Sequence, residues 1–278
     1  MKKFLLITFV LSLIFLSGCS KGLTPAPSEA ASEEETTALP VVTITFPEGM
    51  TAVEIAEKLE ENGVCSAEDF MAEVMNVEEI REAFSFAKEI NTENKAFYLE
   101  GYIFPDTYEF YLGESAKTAI SRFLKNTEAK LSADLRQRAT ELGYSLDEVI
   151  ILASIIQSEC GFPNEVKRVS SVLHNRIESA DYGRLQCDVT INYINNFVSS
   201  SPYLSENTER FKELYNTYKC KGLPAGAICN PGLDAIEAAL YPDETNYFFF
   251  VTDKDWNYYY AETYSEHKEN CRRVGLTG

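Results

Sequence analysis

Histidine is nearly missing from this chain: two occur in 278 residues, and no Cys-X-X-Cys spacing exists. Structural zinc sites are built from those side chains at close spacing, so neither a metal nor any other cofactor is expected. Positive charge is scarce as well. Lys and Arg number 25 against 43 Asp and Glu, a formal net charge of −18. A surface of that sign repels phosphate, which argues against nucleic acid and against docking on anionic lipid by charge. A largely neutral sugar polymer is compatible with it, although acidity alone selects nothing. No internal repeat is visible, which argues against a two-lobed solute-binding lipoprotein of a transporter. Long apolar runs are absent too. The run Phe4–Leu16 has 13 residues, too few to span a bilayer comfortably and the usual length for the core of a signal peptide.

That run has the flanks of an export signal. Lys2 and Lys3 precede it, and Leu16-Ser17-Gly18-Cys19 follows, the pattern of a bacterial lipobox. Residues 1–18 are therefore expected to be a lipoprotein signal peptide, with Cys19 lipidated and the chain held at the extracytoplasmic face of the cell membrane. Residues 19–40 are rich in Ser, Thr, Ala, Pro and Glu without periodicity and read as a disordered tether. Loss of Lys2 and Lys3 with the signal brings the mature charge near −20. Roughly 238 residues remain, enough for one large domain or a small one and a medium one. Beyond Cys19 the chain has six cysteines, Cys65, Cys160, Cys187, Cys220, Cys229 and Cys271. An even number in an exported chain suggests disulfides, with Cys220–Cys229 the preferred pair around a Gly- and Pro-rich loop.

The fold class reads as α+β. "VVTITF" (41–46) alternates and is β-branched, hence a strand. Thr51 with Glu54 forms a capping box ahead of a helix to Asn62, and Ser66 caps a second helix. Residues 41–90 are thus expected to form a small βαα module, either of LysM-like type or a generic α/β subdomain, and residues 91–278 a mixed α+β domain. The stretch 91–110 is crowded with aromatic rings, and Gly101 and Pro105 exclude a continuous helix there. Such crowding is either core packing or a platform on which sugars stack. Helices are expected over 117–143, 145–160, 165–180 and 233–240, and a C-terminal β-hairpin from strands 247–252 and 258–261.

One residue stands out in "ILASIIQSECGFP" (151–163). On a helix opened by the Ser145/Glu148 capping box, Glu159 shares its face with Leu152, Ile155 and Ile156, while Gln157 lies over Ala153 and Ser154. A carboxylate on an apolar stripe near a helix C-terminus loses hydration and faces carbonyl dipoles. Both effects disfavour its charge, raise its pKa and suit it to donate a proton near neutral pH. A glutamate at a helix end can also turn out to solvent, or pair with Arg168 or Arg176.

Six segments in order weigh toward the first reading: "LEGYIFPDTYEF" (99–110), "LASIIQSE" (152–159), "VLHNRI" (172–177), "RLQCDVTINY" (184–193), "YNTYKCKGLPAGAICNPG" (215–232) and "AALYPDETNYFFFV" (238–251). Together they resemble the MltG/YceG-like endolytic murein transglycosylase family. The resemblance implies a LysM-like module ahead of a catalytic domain with a lysozyme-like helical site. It implies a lyase that cuts the MurNAc–GlcNAc bond of nascent peptidoglycan internally, leaves 1,6-anhydroMurNAc ends and so sets strand length. The family's catalytic glutamate maps onto Glu159, and Gln157 stands where many members carry an acid. From the matching motifs, Glu100, Tyr102 and Tyr108 are expected to line the sugar cleft. Asn175, Arg176, Gln186, Asp188 and Thr190 would hydrogen-bond to the sugar, and Tyr215, Asn216 and Tyr218 would orient Glu159 or the leaving group. An ion pair of Arg176 with Asp188 or Glu100, and a Cys160–Cys187 bridge bracing the site, are further expectations. Peptidoglycan strands, the membrane through Cys19 and peptidoglycan synthases are the implied partners. Two other readings stay open, a non-catalytic peptidoglycan-binding envelope lipoprotein and a hydrolytic muramidase.

Overall fold

A computed structural model describes residues 40–204 and 208–276. The signal peptide expected at 1–18, the lipidated Cys19 and all of the tether but Pro40 lie outside the described residues. No helix among those described is long and apolar enough to cross a membrane. The described residues cluster as one unit.

Strand β1 (Val41–Thr45) is followed by helices α1 (Ala52–Glu61), α2 (Ala67–Met75) and α3 (Glu78–Ala83). Both caps expected for α1 and α2 are made: Thr51 and Glu54 close a full capping box, and the Ser66 side chain accepts from the Asp69 N–H. The partner of β1 comes from farther along the chain. Strand β2 (Thr107–Tyr111) pairs with it antiparallel, in register from Val41 opposite Tyr111 to Thr45 opposite Thr107. The aromatic stretch thus contributes a strand as well as a loop. Phe46 sits edge-on to Phe123, with ring centroids 5.0 Å apart, and packs on Tyr108 and Phe110. Phe97, Tyr102, Phe104 and Phe110 are buried, so core packing accounts for them.

The single helix expected over 117–143 is two helices, α4 (Ala116–Lys130) and α5 (Ala133–Leu142). Ser132 ends one and caps the other, its hydroxyl accepting from the Leu135 N–H. A serine that bonds its own backbone competes with helix continuation, and here it wins without Gly or Pro. Next comes α6 (Leu146–Glu159), the spine of the body. Every residue from Leu146 to Ile156 is buried except Glu148, whose side chain closes the Ser145 capping box. Around α6 pack α5, α7 (Val166–Glu178), α8 (Asp188–Tyr193) and, past the short α9 (Phe211–Leu214), α10 (Leu233–Leu240). One wide turn, Ile194–Val198, continues α8.

Strands β3 (Phe249–Thr252) and β4 (Tyr258–Ala261) form the C-terminal hairpin. It leads into α11 (Tyr264–Arg273), capped by a Thr263/Glu266 box. Helix α11 lies against both hairpin strands and brings side chains back over α7.

The cysteines depart from expectation. All six described ones are free, so neither Cys220–Cys229 nor Cys160–Cys187 is bridged. The buried thiols find other contacts. Cys229 Sγ lies 3.3 Å from the Ser154 carbonyl oxygen, and Cys160 Sγ lies 3.3 Å from that of Phe162. Their burial, not pairing, explains them.

Candidate active site

The C-terminal turn of α6 ends against a cleft of about 290 Å³. Glu159 lines it from α6, Leu173 and Arg176 from α7, Gln186 to Asp188 from the start of α8, Phe248 to Phe250 from the hairpin, and Tyr264 and His267 from α11. Glu159 is partly buried. Burial pushes its carboxyl up to about 6, a thiol hydrogen bond from Cys187 pulls it partly back, and the negative charge of Asp188 adds to the rise. The proton of this acid is thus held into the range where it can be given away and retaken.

The Cys187 thiol, which also lies 3.7 Å from the Leu185 carbonyl, is held beside Glu159 because its backbone is pinned. Its N–H donates to Thr217 Oγ1 at 2.9 Å, and its carbonyl accepts from Thr190 Oγ1 at 2.8 Å and Thr217 Oγ1 at 3.2 Å. The preceding Gln186 stands at φ 57°, a left-handed conformation uncommon for a residue with a Cβ. Its N–H donates to the Thr217 carbonyl at 3.1 Å, so the surrounding bonds hold the turn. Burial beside Glu159 raises the Cys187 thiol well above its usual value, which keeps it a donor and not a thiolate. Cys187→Val retains the apolar wall and deletes the donor. Its expected effect is to move the Glu159 midpoint upward from about 6 by roughly half to one pH unit, read from the side-chain carboxyl resonance of ¹³C-labelled protein.

The residues expected to form the site divide in two. Glu159, Arg176, Gln186 and Asp188 meet in the cleft, together with Tyr218, whose hydroxyl donates to Asp188 Oδ1 at 2.8 Å. Others hold the cleft from behind. Asn175 donates through Nδ2 to the carbonyls of Thr245 and Tyr247, both at 2.9 Å, and fixes the approach to β3. Thr190 is fully buried under Cys187. Asn216 accepts the Tyr218 N–H at 2.9 Å and so shapes the loop that carries Tyr218. Tyr215 is buried with its hydroxyl accepting the Ala96 N–H at 3.1 Å, and contacts neither Glu159 nor the cleft.

Glu100, Tyr102 and Tyr108 are not cleft residues. The first two are in the core, where Tyr102 donates to Asp147 Oδ1 at 2.7 Å and stacks on Phe86. Tyr108 is on β2, donating to the Phe104 carbonyl. A motif that borders a site in sequence here supports the body that carries it. Arg176 makes no ion pair with Asp188 or Glu100 either. It donates to the carbonyls of Arg184 and Phe248, each at 2.9 Å, and to Gln186 Oε1. Gln157 faces away from the cleft, accepting the Gly232 N–H at 3.0 Å.

Sequence reasoning missed Phe248 to Phe250, Tyr264 and His267. The Thr263/Glu266 box was a readable signal for α11, but its helix is too polar to announce a packed face. His267 stacks on Phe249 at 5.1 Å, and its Nδ1 is buried without a hydrogen-bond partner. Burial and the nearby Arg176 charge hold this imidazole below its ordinary pKa. Among the described residues, no group of three or more His, Cys, Asp or Glu is arranged to hold a metal ion.

A model of the YceG-like family matches residues 25–273, nearly the whole chain. The chain belongs to the YceG-like family. Its crystallised YceG-like relative from Listeria monocytogenes superposes with a TM-score of 0.70 at 29% identity, over 84% of this chain and 76% of that one. The α+β fold with its small antiparallel sheets is therefore that of a YceG-like protein. Two relatives are named endolytic murein transglycosylase. The Bacillus subtilis (strain 168) protein is 26% identical over 239 residues, 81% of this chain and 63% of its own length. The Streptococcus pneumoniae (strain D39) protein is 26% identical over 270 residues, 92% of this chain and 47% of its own length. This YceG-like chain thus spans about half to two-thirds of the length of those relatives.

Proposed function

We propose that this protein is an endolytic lytic transglycosylase, with Glu159 as its one catalytic acid and base. The observation that carries the reading is a single desolvated carboxyl, raised to about 6, at the wall of a cleft in a YceG-like fold. Protonated Glu159 donates to the oxygen linking MurNAc C1 to GlcNAc, and the C1–O bond breaks with oxocarbenium character at C1. The MurNAc 6-hydroxyl attacks C1, and ionised Glu159 takes the proton that this oxygen releases. The products are a 1,6-anhydroMurNAc end and a GlcNAc with a free 4-hydroxyl, and Glu159 returns to its starting state. An attacking group built into the substrate gains from proximity and needs no second carboxylate to activate water. Asp188, the other acid of the cleft, accepts from Tyr218 and contributes negative charge that favours the protonated form of Glu159.

In this reading residues 41–90, with β2 (Thr107–Tyr111) supplying the second strand from beyond that boundary, act as a LysM-like module. Cys19 anchors the chain to the cell membrane, and the enzyme meets nascent strands beside peptidoglycan synthases and sets their length. The test is mass analysis of the sugar ends released from purified peptidoglycan. Anhydro ends are expected. Reducing ends would make the protein a hydrolytic muramidase, and co-sedimentation without new ends would make it a binding lipoprotein.

A further inference from the structure

Arg176 carries its charge in an unusual setting. It is only 6% exposed, yet its three hydrogen-bond acceptors, two backbone carbonyls and a glutamine amide oxygen, are all neutral. The Tyr182 and Phe249 rings lie 5.7 and 5.4 Å from the guanidinium. A buried cation normally has an anion beside it, because neutral dipoles replace only part of its lost hydration. Nη1 and Nη2 each bond once and each has a second N–H.

Next to the cleft lies a hollow of about 300 Å³, which shares Arg176 and Gln186 with it. Arg184 and Lys221 complete its basic lining, with Asp181 as its acid. Three cations around one hollow stand out on a chain of net charge −18. Their backbone is tied together. Arg184 and Gly222 form a parallel bridge, and the Gly222 N–H donates to the Gly183 carbonyl at 2.9 Å. Arg184 Nε donates to the Lys219 carbonyl at 3.2 Å, and among the described residues no carboxylate engages the rest of its fork. The Lys221 stem lies on Gly183, where a Cβ would come within 3.0 Å of Lys221 Cε.

We infer that this hollow is a subsite for an anionic oxygen group, carboxylate or phosphate, on the strand whose bond lies at Glu159; the inference rests on the strand-cleaving reading of the cleft. The sugar backbone of peptidoglycan is neutral at the hydroxyl and N-acetyl groups, so its negative charge sits on peptide-arm carboxylates or on attached phosphates. An anion in the hollow supplies the missing counter-charge of Arg176 and meets planar donors suited to two oxygens at once. The enzyme thereby distinguishes strands that carry such a group from bare ones, a discrimination the cleft alone does not supply.

The test compares the parent with an Arg184→Ala/Lys221→Ala double variant, both side chains being exposed. Three substrates are used: strands whose peptide arms bear free carboxylates, strands with those carboxylates amidated, and amidated strands bearing a terminal phosphate. For the parent, kcat/KM on at least one anionic strand exceeds that on the amidated strand, and the advantage shrinks with added salt. In the double variant that ratio falls about three- to tenfold, through KM. A change confined to the free-carboxylate strand makes the ligand a carboxylate, and one confined to the phosphate strand makes it a phosphate. Equal ratios in parent and variant on both anionic strands overturn the subsite. Should the parent cleave none of the three, the strand-cleaving reading fails, and calorimetric binding of a soluble muropeptide and of its amidated form decides the subsite separately. Charge-dependent binding lost in the variant upholds it; indifference to charge overturns it.

Discussion

Glu159→Gln lowers the rate of anhydro-end formation from purified peptidoglycan by about 10³-fold or more, at the upper part of the range for a positioned general acid–base. The size follows from one residue serving both half-steps. Glutamine keeps the shape of the side chain but has no acidic proton to give to the leaving oxygen and no carboxylate to relieve the 6-hydroxyl of its proton. The other titratable groups of the cleft are poor substitutes: His267 is held below its ordinary pKa and carries no proton to give near neutrality. The Cys187 thiol is raised far above neutral, and Asp188 already accepts from Tyr218. The parent enzyme also acquires a pH signature. The free enzyme must hold Glu159 protonated, so kcat/KM declines as pH rises past about 6 and is lower again at pH 8. Because the substitution removes a desolvated charge, the folded state is not weakened, and the urea midpoint of the variant equals that of the parent at pH 5 and is equal or higher at pH 7. A variant that folds normally and still makes anhydro ends at near the parent rate would remove Glu159 from the mechanism.

Much of this site was readable before any coordinates, for a local reason. The Ser145/Glu148 box and the apolar run after it placed α6, and a 3.6-residue period set Glu159 on its buried side without reference to the rest of the chain. What sequence did not disclose depends on partners far along the chain. Strand β2 follows Pro105 in a stretch that looks like loop, and becomes a strand only because β1 offers an edge to it. The rings before it gave the same composition for a core as for a sugar platform, and the core took them. Cys187 was visible beside the proposed site but was assigned to a bridge; its thiol serves instead as a donor to a carboxyl, which spacing has no means of showing. The family resemblance named Arg176 and supplied a wrong partner for it, since segments aligned in order say nothing about which charges meet.

Glu100 was placed at the sugar by that same resemblance, and its true setting gives the second large expectation: the pH dependence of folding stability flattens in Glu100→Gln. The carboxyl is 1% exposed. Oε1 accepts from the Ala52 N–H and from Asn230 Nδ2, both at 2.9 Å, and Oε2 lies 3.0 Å from the Tyr193 hydroxyl. One buried group therefore joins the start of α1, the loop before α10 and helix α8. Burial pushes its pKa up to about 8, against the opposing pull of those donors. For an acid the sign follows directly. Below its ordinary 4.5 both folded and unfolded chains hold the proton, and the contribution to stability is complete. Between 4.5 and 8 the unfolded chain releases the proton while the folded one retains it, and stability falls with rising pH by roughly 1.4 kcal/mol per pH unit. Over the window the loss is on the order of several kcal/mol. Glutamine imitates the protonated acid, with Oε1 still accepting from Ala52 and Asn230 and its amide N–H facing the Tyr193 oxygen. Urea unfolding of parent and variant at intervals from pH 5 to pH 8 isolates the effect, because Glu159 titrates alike in both. A steep parent slope beside a shallow variant slope is the expected pair. Parallel slopes would mean that Glu100 is ionised inside the fold and that its three donors, not its desolvation, set its charge.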